Sequence, residues 1–156
     1  MKDLVIELRH KFITILKSLY WEHFEEGQCQ SGTVVLLIES ADRALDHEET
    51  ELADWKFIYS YLISDAYLKV VAFLSKIPLL GYIFSQKLFM HHSKAYDIIV
   101  NFIDAHEQAI SMMTNVIDNR QFVNQIITES KLNTDEAEIY MHQEIEDNFP
   151  EIAKAI

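Results

Sequence analysis

Apolar side chains return every three or four positions along most of the chain, the spacing of one face of an α-helix. In the first run Leu4, Leu8, Phe12, Ile15 and Leu19 form one stripe, while Ile6, Ile13 and Tyr20, seven apart, lie on a second face. The pattern predicts a helix over residues 3–26, opened by Asp3 as N-cap and closed by Gly27, which can turn left-handed at little steric cost. Apolar on two sides, this helix is expected to meet two neighbours. One expected neighbour is a second copy of the chain, reached through Ile6, Ile13 and Tyr20.

Ser31 can cap a second helix over residues 32–47, with Val34, Val35, Ile38, Ala41 and Leu45 facing inward and Glu39, Asp42, Arg43 and Asp46 facing water. After an acidic connector, Trp55, Ile58, Tyr59 and Leu62 mark the buried side of a third helix over residues 52–64. Asp65 begins another apolar segment. Pro78 should end or kink it, because proline lacks an N–H and crowds the preceding turn. From Leu79 a long pattern follows in which Ile83, Phe84, Leu88, His91, Ala95, Ile98, Phe102, Ala105, Ala109, Met112 and Val116 keep helical spacing. Unbroken, such a helix extends about 50 Å at ~1.5 Å per residue, so part of it is expected to project or to pair. A further helix is expected over residues 120–131. Asn133 followed by Glu136 reads as a capping box for the next, which ends before Phe149 and Pro150, and residues 151–156 again read as helix.

These elements predict an all-α fold: a multi-helix bundle of six to eight helices with one long helix, in a single domain over residues 1–156, with a dimer expected. Composition agrees, since 49% apolar residues can fill a core and only 3 Gly and 2 Pro leave little punctuation for hairpins. The single Cys29 excludes an intramolecular disulfide and a cysteine-rich zinc site, and fits a reducing compartment. The longest stretch without a charged residue or histidine, residues 27–38, is far shorter than the ~20 residues of a spanning helix.

Net charge is −12, concentrated in residues 39–54, with seven acids and one Arg, and residues 129–151, with eight acids and one Lys. Such acidity repels nucleic-acid phosphates and anionic lipid, and no basic stripe stands out, so nucleic-acid binding is not expected. Both windows read as solvated surface, with a basic partner or a cation as the other use of crowded carboxylates.

Few residues suggest chemistry. Glu7 and His10 have the spacing of a carboxylate-bridged metal pair in a ferritin-like bundle, but that site needs a second Glu-x-x-His and two more glutamates, and no other Glu stands three before a His. His91 and His92 are adjacent and point about 100° apart on a helix, so they do not readily share an ion; His91 fits the apolar stripe instead. Glu138 and His142 are an ordinary i, i+4 pair. No phosphate loop, HExxH, GxSxG or CxxC occurs, so neither catalysis nor a cofactor nor a metal is expected. Tyr20, Trp21 and Phe24, with Trp55, read as structural anchors beside solvated glutamates.

Three segments in order, "YWEHFEEGQ" (20–28), "LIESADRALD" (37–46) and "LADWK" (52–56), are followed by "FIDAHEQAI" (102–110) and "EIEDNFPEI" (144–152). Together they resemble the cytosolic helical region that follows the last transmembrane helix in Na+/H+ exchangers of the plant Salt-Overly-Sensitive type and the related sperm-specific type. Gln28 stands where that family usually has Arg, and residues 77–84 are more apolar than its pattern. The resemblance implies a regulatory, dimer-stabilising module on the cytoplasmic side of a membrane antiporter, itself soluble and a fragment of the larger chain. Its implied partners are a second copy, the transmembrane transport domain of the same chain and a cyclic-nucleotide-binding-like domain. The family's ion-binding residues lie in membrane helices absent here. A stand-alone helical adaptor is the alternative, and a ferritin-like metalloprotein the weaker one.

Overall fold

The computed structural model describes residues 2–64 and 66–154. All regular structure among them is helical: α1 (Lys2–Glu25), α2 (Ser31–Asp46), α3 (Asp54–Ile63), α4 (Ala66–Leu74), α5 (Gly81–Val116), α6 (Arg120–Tyr140), a π-helical turn (Met141–Glu146) and α7 (Pro150–Lys154). The all-α class, the count of helices and the one long helix are as the spacing predicts. The expected start at Asp65 and the last two residues of the chain lie outside the described residues.

The stop of α1 is local chemistry. Gly27 adopts φ +74°, the Gly27 N–H bonds to the Phe24 carbonyl at 3.0 Å, and the Gln28 N–H bonds to the His23 carbonyl at 2.8 Å. This pair of bonds satisfies two carbonyls that a helix end otherwise leaves open. A Cβ on Gly27 would meet nothing within 4 Å, so the penalty for a side chain there is conformational alone. Gly27→Ala is therefore expected to cost about 1 kcal/mol and to lower the melting temperature by ~2–4 °C, with Gly27→Asn costing less. An unchanged thermal melt for the alanine variant would contradict this account of the turn. Gly81 is needed for a different reason: a Cβ there would lie 2.7 Å from the Ser75 carbonyl oxygen, where α5 starts close against the turn that follows α4.

The core lies between α1, α2, α3, the C-terminal half of α5 and α6. Phe12, Leu16, Tyr20, Leu37, Ile58 and Phe102 are sealed there. The Trp55 ring packs on Phe102 at 5.7 Å between centroids and on Tyr140 at 6.0 Å. Ile145, on the π-helical turn, and Ile152, on α7, close one end of this core.

Several expectations need correction. In α2 the buried face is Thr33, Val34, Leu36, Leu37, Ser40 and Ala41, and Val35 is exposed. Small and hydroxyl residues line it because α1, α3 and α5 all approach it, and the Ser40 hydroxyl donates to its own helix at Leu37 O (2.7 Å) instead of demanding water. Tyr59 and Met112 are exposed, whereas Trp55 and Met113 are inside. Asn133 does not open a helix: α6 runs through it to Tyr140. In α5 the fully buried positions begin at Ala95. Residues 81–94 hold no fully buried position: Phe89 and His92 pack at the edge of the core against Phe149, and α5 also packs against α4 as a helical hairpin.

Candidate functional site

The N-cap residue of α3, Ala53, offers no side-chain cap, and the start of the helix is held by its own Asp54 together with groups from α6. The Trp55 N–H is shared by Asp54 Oδ1 (3.2 Å) and by Asn133 Oδ1 of α6 (3.3 Å), while Asn133 Nδ2 donates to the carbonyls of Leu52 (2.8 Å) and Glu129 (2.9 Å). One turn earlier on α6, Glu129 accepts from the Leu52 N–H at 3.2 Å and from Arg9 of α1 through two bonds, Nε to Oε2 at 2.7 Å and Nη2 to Oε1 at 2.5 Å. Burial alone would discourage ionisation of Glu129. The hydrogen bond from Arg9, the Leu52 N–H, the Arg9 charge and Gln125 together outweigh it and hold the carboxyl below its usual range. The bond to Glu129 in turn raises Arg9, against the effect of burial.

Two histidines complete the buried polar set. His23 Nδ1 lies 3.0 Å from Asn101 Oδ1, and its Nε2 lies 3.2 Å from Gln108 Nε2 and 3.3 Å from Asp104 Oδ2, so the ring links α1 to two turns of α5. His106 Nδ1 donates to the Phe102 carbonyl at 2.9 Å, and its Nε2 lies 3.0 Å from Asp54 Oδ2, close enough for an ion pair but not aligned as a hydrogen bond. The Tyr20 hydroxyl, fully buried, has no hydrogen-bond partner among the described residues; burial and then the Asp54 charge push its pKa well above the ordinary value. Tyr20 and His106 are fully buried, and Asp54 is 2% exposed at the edge of a pocket between α1, α2 and α3. Their geometry positions helices.

The residues singled out by sequence divide clearly. Ile13 (1% exposed) and Tyr20 (0%) are enclosed by their own chain and offer no surface to a second copy; Ile6 is half-buried. Of the anchors, Tyr20 and Trp55 lie in the core, but Trp21 is 48% exposed and, with Phe24 at 6.1 Å, sits on the outer face of α1. Glu7 pairs with Lys11 and His10 with Glu48, so the two are not brought to a common ion. His142 pairs with Glu146 across the π-helical turn, not with Glu138. His92 rests on the Phe149 ring at 5.0 Å, and burial, then the neighbouring His91, lower its pKa to about 4. Among the described residues no cluster of three or more His, Cys, Asp or Glu could hold a metal.

Two surfaces stand out among the described residues. A groove of about 690 Å³ between α3 and α6 is lined by Trp55, Tyr59, Leu132, Ile139 and Tyr140 with Lys56, Glu136 and Glu144 among its polar groups. The second is the α4–α5 hairpin, where Phe73, Leu79, Leu80, Tyr82, Ile83 and Met90 are exposed. Sequence reasoning passed over this surface because whole-chain charge hid it. Residues 66–96 contain no Asp or Glu and four lysines, Lys69, Lys76, Lys87 and Lys94, in a chain of net charge −12. A running charge sum would have found it. No helix among the described residues is long and apolar enough to cross a membrane.

No family model matches the chain. It is similar to two proteins of Arabidopsis thaliana: sodium/hydrogen exchanger 8, at 26% identity over 156 positions, and sodium/hydrogen exchanger 7, at 25% over 153 positions. The alignments cover 97% and 96% of this chain but 20% and 13% of those relatives, so the chain spans at most a fifth of their length.

Proposed function

We propose that this chain is a non-catalytic helical module of a larger monovalent cation/proton antiporter, positioned on the cytoplasmic side of the membrane beneath the transport domain, where it regulates transport and stabilises the dimer. The observation that carries this reading is the alignment of nearly the whole chain with one part of two sodium/hydrogen exchangers. The interior supports it: its ionic groups, Arg9 with Glu129 and His106 beside Asp54, lie between helices and are largely buried. In this reading the partners are the transmembrane transport domain, a cyclic-nucleotide-binding-like domain and a second copy. Dimer contacts fall to surfaces other than Ile13 and Tyr20, which the fold already uses.

The test is the size and location of the native gene product, detected with an antibody raised against this domain. A membrane-fraction band several times larger than 18.3 kDa is the expected result. A band at 18.3 kDa in the soluble fraction would overturn the reading in favour of a stand-alone helical adaptor.

A further inference from the structure

We propose that the α4–α5 hairpin is a lipid-binding element whose apolar tip enters the headgroup region of an anionic bilayer while Lys69 and Lys76 meet the lipid phosphates. This inference stands on the surface itself and not on the antiporter reading. Three observations converge on it.

The first is exposed apolar area at a turn. Leu79 is 95% exposed and Phe73 70%, and Leu80 and Ile83 are also open to solvent. Phe73 shares its side of α4 with Val70, three residues before it, and the stripe runs on to the turn at residues 75–80. A water-soluble surface does not normally gather side chains of this kind at a protruding tip.

The second is charge. With its four lysines and no carboxylate, the segment 66–96 leaves −16 on the rest of the chain. Lys69 and Lys76 are exposed and flank Phe73 on α4 and the turn. Lysines beside bulky apolar and tyrosine side chains are the composition of helices that lie in a membrane interface, where the apolar face enters the acyl boundary and the cations face anionic headgroups. A second copy is a poorer fit, because a two-fold interface through this face would bring the same lysines against one another.

The third is reach. The buried part of α5 begins at Ala95, so the start of α5 at Gly81 lies about 20 Å further along the helix at ~1.5 Å per residue. That distance exceeds the ~8 Å over which charge acts at physiological salt, so the hairpin can touch an anionic surface while much of the acidic body stays beyond the range of repulsion. The exception is Glu151 of α7, which lines a shallow groove with Tyr82, Phe89 and Met90. It places the lipid-facing side at the tip and along α4, away from α7.

The experiment is co-sedimentation of the purified chain with phosphatidylcholine vesicles, with and without phosphatidylserine, at physiological salt. Expected is binding at least ~10-fold stronger with phosphatidylserine, weakened by added salt, as interfacial lysines require. Leu79→Ser and Lys76→Gln, both at exposed positions and checked for unchanged helical content and melting temperature, are each expected to weaken it by about 5-fold or more. The chain remaining in the supernatant with both vesicle types would overturn the proposal, as would equal binding to both or variants that bind like the parent. Concentration-dependent self-association abolished by Leu79→Ser, with no vesicle binding, would overturn it by assigning the face to a second copy. Because the vesicles contain only lipid and this chain, the result is independent of whether the native gene product is a large membrane protein.

Discussion

Ile13→Glu is expected to leave the chain without its cooperative fold at temperatures where the parent is fully folded. The Ile13 side chain lies on the inner face of α1 among the core residues and is 1% exposed. A glutamate there would either bury its charge without a designed partner or bind a proton and still leave polar oxygens unpaired. Either route costs more than about 4 kcal/mol, a large part of the ~5–15 kcal/mol that stabilises a typical domain. Ile6→Glu, at a half-buried site on the same helix, is expected to cost much less. Far-ultraviolet circular dichroism through a thermal melt separates the two. If Ile13→Glu kept the parent's melting temperature and changed only the oligomeric mass, α1 would be presenting Ile13 to a partner and the packing described above would be wrong.

Glu129→Gln is the second large effect, expected to destabilise by about 3–5 kcal/mol, because it leaves the Arg9 guanidinium buried without its directly bonded countercharge, with only the more distant Glu51 to offset it. The amide can still accept one of the present bonds, but not as an anion, and its NH2 group meets a cation. Replacing both partners, Arg9→Met with Glu129→Leu, is expected to restore much of the loss, since an apolar pair removes both desolvation costs. A denaturant-unfolding double-mutant cycle measures the coupling, and strict additivity of the two single changes would refute a direct pair.

The pair also sets an acid limit. Glu129 is held below its ordinary value when folded, so the unfolded chain takes up the proton first as pH falls. The stabilisation is complete above the unfolded carboxylate value of about 4.3 and is lost as pH drops through the lower folded value. Glu129→Gln should therefore flatten the acid side of the stability profile and leave its shape near neutral pH unchanged.

Much of the fold was legible because helical periodicity is local. The stop at Gly27, the break before Pro78 and the length of α5 each follow from residues within a few positions of one another. Asn133 shows where that locality misleads. Its spacing to Glu136 is that of a capping box, yet its amide serves the N-terminus of α3, 78 residues away at Trp55, and α6 continues past it. The buried side of α2 was misjudged for a related reason: hydropathy favours Val35, but crowding by three helices selects Thr33, Ser40 and Ala41. Tyr20 and Ile13 looked available to a partner because a second apolar face does not state which neighbour covers it.

By itself, then, the sequence determined the helices, the stop of α1 at Gly27, the absence of familiar catalytic motifs and the Lys-only stretch at residues 66–96, all properties of neighbouring residues, whereas Asp3 and Ser31, expected as caps, lie within the first turns of α1 and α2. Only the tertiary structure decided that Arg9 meets Glu129 across 120 positions, that Ile13 and Tyr20 face inward, and that α4 and the start of α5 stand clear of the core. Those outcomes depend on which helix faces are covered by others. Periodicity names a face, and only packing assigns its neighbour.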